Sequence, residues 1–329
     1  MMRIGIPKEN NEKETRVAIV PISIPKLMKL GFEVVIEKGA GEKSGYSDAE
    51  YEEKGAKTKS LDEVMKCELI ASIDVPNFKN MEKGQMLACI ADPFRNLEQT
   101  KQIIDSGITL LSLEVIPRRL SKGQSMDVNS SQDNLSGYKA ALMGSQNIAK
   151  MVPMMMTSAG TVRPAKFIIQ GAAVAGLQAI ATAKRLGAAV QAIDVRLAAK
   201  QDTESLGAKF IDVPGWKDAE SSSGHASLFT DKGLQEAFDN ALMDAVKDAD
   251  VVITTARLFG ADAPKLFFSK ENNDKMTKEM KEGSVIVDMN TDTGGNIVGS
   301  KAGEIIEKDG VTIVGIPMLC RTVPNTASM

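Results

Sequence analysis

The sequence is poor in the residues that most often announce a chemistry. It has one histidine, His225, and one tryptophan, Trp216, so an enzyme relying on an imidazole general base would have to place it at His225. Cysteine is scarce too. Cys67, Cys89 and Cys320 are too few and too scattered for a disulfide framework or a zinc cluster, and they read as buried thiols in a reducing compartment with no metal site. Neither sign of charge dominates: 40 Lys and Arg against 43 Asp and Glu leave a net charge of −3. No basic block is present that could neutralise a run of phosphates, so nucleic acid is not an expected partner. No stretch reaches the roughly 18 apolar residues that span a bilayer. The segment Arg3-Ile4-Gly5-Ile6-Pro7 reads as a strand and its turn rather than a signal peptide. The expectation is a cytoplasmic chain with no direct membrane insertion.

What is present fits a pair of globular domains. The 329 residues are 43% hydrophobic and 25% charged, enough for about two cores and unlike a disordered or fibrous chain. In the first third, apolar runs at Phe32 to Ile36, Glu68 to Val75, Gln85 to Ile90 and Ile108 to Leu113 alternate with helical patterns at Ile22 to Leu30 and Asn96 to Asp105. This is the βαβ rhythm of a parallel sheet. A polar stretch, Arg118 to Asp133, interrupts it, and Leu135 to Met151 follows as a connector helix. The rhythm restarts at Ala165 to Gln170, followed by a helix over Val174 to Leu186. Further strands fall at Val190 to Val195, Lys209 to Val213, Val251 to Thr254, Val285 to Asp288 and Val311 to Val314. The expected fold is α/β: two doubly wound Rossmann-like domains, 1–133 and 134–329, with mainly parallel sheets and a nucleotide cleft between them. The connection from Pro214 to Phe229, rich in Ser and Gly, exceeds the usual length and reads either as a functional lid or as an insertion.

The chemistry is carried by Gly171-Ala172-Ala173-Val174-Ala175-Gly176, set between a strand and a helix, the context that makes a glycine pattern a dinucleotide site. Gly171 permits the tight turn and Gly176 lets the helix approach the strand. The amides of Ala173, Val174 and Ala175 face a pyrophosphate at the helix start. The middle glycine of the fingerprint is replaced by Ala173, whose methyl stands where backbone would approach the phosphates. Asp194 ends the next strand, where a carboxylate accepts hydrogen bonds from the adenosine ribose and repels a 2′-phosphate. NAD(H) is therefore the expected cofactor, with Val195 alongside and Arg196 as the one feature able to accommodate a phosphate instead.

The segment Val174 to Ala188, preceded by Thr157-Ser158-Ala159-Gly160-Thr161-Val162, resembles the NAD(H)-binding component, or alpha subunit, of proton-translocating NAD(P) transhydrogenase, a relative of the alanine dehydrogenase family. The likeness extends to Thr15-Arg16-Val17-Ala18, to Ser125-Met126-Asp127 with Ser130-Ser131-Gln132, and to Gly294-Gly295-Asn296. It implies that Arg119, Gln124, Asp127 and Ser130 hold the nicotinamide and its ribose, with Arg118 as the alternative to Arg119. It also implies a loop over the nucleotide at Gly224 and His225, and a pocket lined by Thr255, Ala256, Met289 and Asn290. For the last two a turn-facing role is the other reading. The partners implied are a beta subunit carrying NADP(H), a membrane-embedded subunit or domain, and a second copy of this chain. The implied reaction is direct hydride transfer.

The residue inventory separates that reaction from amino-acid oxidation, which needs an acid/base group beside the substrate. Alanine dehydrogenases supply a histidine and a lysine in the first domain. Here Asp74 stands at the lysine's place, and Cys89-Ile90-Ala91-Asp92 offers no histidine. Arg16, which matches a substrate-carboxylate arginine there, reads as structural here. The family also continues past Ala327-Ser328 with a helix returning to the first domain, so that domain is expected to lack a packing partner. An amino-acid dehydrogenase and a catalytically degenerate NAD-binding module are the rival readings.

Overall fold

The computed structural model describes residues 1–117, 121–216, 229–258 and 260–329. The chain divides into two units, Met1–Gln132 with Cys320–Met329, and Asp133–Leu319. In the first unit, β1 (Met2–Ile6), β2 (Phe32–Glu37), β3 (Lys57–Lys59), β4 (Leu69–Ala71), β5 (Met86–Cys89) and β6 (Thr109–Ser112) form one sheet. Their spatial order is β3-β2-β1-β4-β5-β6, and every neighbouring pair is parallel. Parallel strands need crossovers, supplied by α1 (Ile24–Lys29), α2 (Asp48–Glu53), α3 (Leu61–Val64) and α4 (Leu97–Asp105). Two helix starts are specified locally: Ser47 with Glu50, and Ser60 with Glu63, form capping boxes. Both faces of the sheet are covered, as parallel sheets require. Val34 and Ile36 pack with Ile24 and Tyr51 on one face, while Val35 packs with Val64, Ile70 and Ile103 on the other.

The polar stretch expected from Arg118 to Asp133 is largely helical over its described residues. It holds α5 (Ser121–Gln124) and the start of α6 (Val128–Asn147), because the Asp127 carboxylate accepts the Ser130 N–H at 3.0 Å and caps the first turn. Residues 320–329, assigned by sequence to the second domain, belong instead with the first unit. A short helix, Pro324–Ser328, packs there. Arg321 Nε donates to Glu14 Oε2 at 2.7 Å and Ser328 Oγ accepts from the Val17 amide at 3.0 Å. The last residues of the chain therefore pack on the first unit.

The second unit opens within α6, which is followed by a hairpin, β7 (Met155–Thr157) and β8 (Gly160–Val162). Its sheet comprises β9 (Lys166–Gln170), β10 (Ala189–Ile193), β11 (Lys209–Phe210), β12 (Val251–Thr254), β13 (Val285–Asp288), β14 (Ile305–Lys308) and β15 (Val311–Val314). The order is β11-β10-β9-β12-β13-β15-β14, parallel except for the β14–β15 edge pair. The helices are α7 (Val174–Arg185), α8 (Ala198–Ser205), α9 (Lys232–Lys247) and α10 (Lys270–Glu279). Alternation along β9 divides the core. Phe167 and Ile169 pack on Ala179, Ile180 and Ala183 of α7, whereas Ile168 packs on Leu234, Phe238 and Leu242 of α9. The strand order reverses between β9 and β12, and in open α/β sheets the crevice beyond the carboxyl ends at such a point is where ligands bind.

Candidate functional site

At this reversal in the second unit the backbone is compressed. Gly171 has φ +93, and a Cβ there would lie 2.5 Å from Thr255 Oγ1, so both conformation and space require glycine. A Cβ on Gly176 would fall inside the carbonyl oxygen of Gly171, which is what draws the start of α7 onto the end of β9. Thr255, just past β12, closes the arrangement: its amide donates to Gln170 O at 2.9 Å and its hydroxyl to Gly171 O at 2.9 Å. Ala173 is the N-cap of α7 with φ −89 and ψ −163, and no side chain caps the helix. Among the described residues the first-turn amides, Val174 and Ala175 among them, thus have no side-chain cap, and the positive end of the dipole faces outward for an anion. The Ala173 backbone is ordinary extended chain, so the missing middle glycine leaves the turn unstrained.

Asp194 follows β10 and is buried. Its Oδ2 accepts the Ala172 amide at 2.7 Å, which ties the carboxylate to the glycine turn. Arg196 donates to it from Nε at 3.0 Å and Nη2 at 2.9 Å, so the aspartate is charge-balanced rather than bare. Val195 accepts the Trp216 indole N–H at 3.3 Å through its carbonyl, and the indole lies 5.3 Å from the Phe210 ring. Trp216 thereby fixes the start of the long connection. Gly224 and His225, expected to cover the nucleotide, lie outside the described residues, as do Arg118 and Arg119.

Asn290 and Met289 are both buried, and Asn290 is committed inward. Its amide donates to Ala256 O at 3.1 Å and Asn296 Oδ1 at 2.8 Å. Asn296 donates in turn to Ala256 O and Pro264 O, and Asp288 accepts the Asn296 and Ile297 amides. Sequence reasoning gives Asp288 and Asn296 no role in the site. Their role is to hold the Ala256 backbone in place beside the turn. No periodicity announces such a network, although Gly294-Gly295-Asn296 marks its position.

In the first unit, Gln124 ends α5 and is exposed, while Asp127 and Ser130 are half-buried. Ser130 Oγ donates to Asp127 Oδ2 at 2.6 Å, so the pair is coupled before any ligand arrives. Arg16 is almost fully buried and donates to both oxygens of Glu14 at 2.7 and 2.8 Å and to Gln132 Oε1 at 2.9 Å. Burial works against the Glu14 charge, but the Arg16 and Arg321 guanidinium groups outweigh it and hold the carboxyl below its ordinary range. Asp74 accepts from Asn11 at 3.1 Å and lies 3.7 Å from Arg321 Nη2. All three cysteines are buried and none is in a disulfide, and burial pushes the Cys67 and Cys89 thiols up to about 11 and about 12. Among the described residues no helix is long and apolar enough to cross a membrane.

Comparison with known proteins places these features in a family. Residues 5–136 match the alanine dehydrogenase/PNT N-terminal domain and residues 140–329 the alanine dehydrogenase/PNT C-terminal domain. The first part of NAD(P) transhydrogenase subunit alpha from Rickettsia prowazekii is 39% identical over 99% of this chain and 86% of its own length. The Rhodospirillum rubrum protein of the same name is 41% identical over 95% and 83%. A transhydrogenase crystal structure from Sinorhizobium meliloti superposes with a TM-score of 0.88 at 40% identity, covering 99% of this chain and 89% of that one. An L-alanine dehydrogenase structure is more distant, with a TM-score of 0.81 at 25% identity, covering 99% and 86%. The chain belongs to the alanine dehydrogenase/PNT family, on the side of the NAD(P) transhydrogenase alpha subunits.

Proposed function

We infer that this chain binds NAD(H) and presents it for direct hydride exchange with NADP(H) carried by a beta subunit, within a proton-translocating transhydrogenase. The observation that carries the reading is the Gly171–Gly176 turn. Backbone is brought against the uncapped start of α7, beside Asp194 at the sheet reversal. This cradle fits a dinucleotide: the α7 amides receive the pyrophosphate, Asp194 faces the adenosine ribose, and Thr255 with Ala256 holds the turn closed. Gln124, Asp127, Ser130 and Arg119 orient the nicotinamide end. Bound NAD(H) supplies the carbon that gives or takes the hydride. The protein supplies position and exclusion of water, and hydride exchange between two nicotinamides asks nothing more of its acids and bases.

The first unit supports this over amino-acid oxidation. Arg16 is saturated by Glu14 and Gln132, and Asp74 replaces an amine by a carboxylate, so neither a substrate clamp nor a basic amine stands there. Exposed Met151, Met154, Met155 and Met156, in and before the β7–β8 hairpin, support pairing of two copies. Attachment to the inner membrane runs through the partner subunits. The test is reconstitution with a beta subunit and membrane component. NADH binding by the chain alone, and NADPH-dependent reduction of an NAD analogue only after reconstitution, are expected. Turnover of L-alanine with NAD by the isolated chain would overturn the reading.

A further inference from the structure

Gln170 is out of place by the rules of its own strand. It ends β9 in a sheet covered on both faces, where apolar residues are expected, and its strand neighbours Phe167, Ile168 and Ile169 are fully buried. Gln170 is 8% exposed, and its side-chain Oε1 has no hydrogen-bond partner among the described residues. Its backbone carbonyl, by contrast, is fully used, accepting the Thr255 amide and hydroxyl. Leaving a buried amide oxygen unpaired costs stability that a leucine would not. A position that keeps such a group is a candidate for a ligand contact.

The surroundings say which ligand. Gln170 pairs in register with Ile193 of β10 and Thr254 of β12, and shares a face with Ile168, opposite α7. It is therefore at the carboxyl edge of the sheet, one residue before the turn that faces the pyrophosphate and beside the strand that Asp194 follows. This is the adenosine half of the site. A carboxamide carries an acceptor beside a donor pair, the complement of the amino group and ring nitrogen on an adenine edge. We propose that Gln170 reads the adenine of NAD(H), its orphaned Oε1 accepting the 6-amino hydrogen. The inference rests on the NAD(H) reading above and adds to it a base-selecting residue.

The test compares NADH with its analogue in which purine replaces adenine, lacking only the 6-amino group. Both are titrated by dihydronicotinamide fluorescence against the full chain and Gln170→Leu, and the ligand-free melting temperatures are recorded. The wild type is expected to prefer NADH by roughly three- to tenfold, the range of one hydrogen bond. Gln170→Leu should abolish the preference by weakening NADH alone, while the ligand-free variant melts no lower than the wild type. A preference that survives the substitution, or none in the wild type, would overturn the assignment. So would a variant that melts lower and binds both dinucleotides equally poorly, because the amide would then be structural. If neither dinucleotide binds the wild type, the cofactor reading itself falls.

Discussion

Arg196 grips the Asp194 carboxylate on both oxygens, with Nε 3.0 Å from Oδ1 and Nη2 2.9 Å from Oδ2. The two residues have opposite meanings for nucleotide choice: the carboxylate disfavours a 2′-phosphate and the guanidinium favours one. While they are paired, the acid holds the base, and the site reads as one for NAD(H). Asp194→Ala removes the ribose acceptor, the anchor of the Ala172 amide and the partner of Arg196 together. NADH affinity is expected to fall by at least about tenfold, the worth of one charged hydrogen bond, while NADPH binding falls less or improves. Fluorescence titration with both nucleotides checks this. Unchanged NADH affinity would remove Asp194 from the adenosine end.

The glycine turn separates sites where a methyl is excluded from one where it is tolerated. Gly176→Ala places a Cβ inside the Gly171 carbonyl, and since backbone cannot rotate away, α7 must shift. A loss of about 1–3 kcal/mol in stability is expected, along with NADH binding. Ala173→Gly meets no such constraint, because its φ of −89 is ordinary. It should lower stability by no more than about 1 kcal/mol and tighten NADH binding a few-fold by clearing the phosphate approach. Thermal melts and titrations of both variants would show whether the methyl at 173 is the limiting contact.

Much of this is legible in the sequence, for identifiable reasons. Strands β12, β13 and β15 can be read at their observed bounds because Val251-Val252-Ile253, Val285-Ile286-Val287 and the Val311 to Val314 run are buried and β-branched. The edge strand β14 cannot, since Ile305-Ile306-Glu307-Lys308 is half-exposed and antiparallel, and carries no buried run. The same divide runs through the site. Gly171, Gly176 and Asp194 are spaced by local geometry and can be found in order along the chain. The inward commitment of Asn290 to Ala256 and Asn296, and the closure of Arg16 by Glu14, depend on side-chain pairing that no local pattern encodes.

Glu14 is the common partner of two arginines, Arg16 at 2.7 Å and Arg321 at 2.7 Å, and is itself fully buried. Removing it strands the Arg16 charge and releases the segment that carries the Pro324–Ser328 helix. Glu14→Ala is therefore expected to destabilise the first unit by about 3–5 kcal/mol, the range for breaking a buried pair from one side. Arg321→Ala, whose guanidinium is partly solvated, should cost less. Denaturant unfolding of the two single variants and the double variant measures the coupling. Additive losses would mean that the three charges do not act together.

Glu9 gives the first unit a pH dependence close to neutrality. Burial pushes its carboxyl up to about 7, with Asp74 and Glu14 adding to the effect, even though the Ile73 and Asp74 amides donate to it at 2.7 and 3.1 Å. The folded chain therefore keeps a proton on Glu9 between about pH 4.5 and 7 that the unfolded chain has released. Where the folded state binds more protons, stability falls as pH rises. The contribution of Glu9 is complete below about pH 4.5 and is lost as the pH passes through about 7. Because the residue is partly exposed, the amplitude is on the order of 1 kcal/mol after screening. Glu9→Ala should flatten this part of the stability profile between pH 5 and 8 in denaturant melts, and the carboxyl carbon of Glu9 should titrate near neutrality by NMR. A carboxyl titrating near 4, with a profile untouched by the substitution, would show that water reaches Glu9 freely and that the two amides hold it as an ordinary carboxylate.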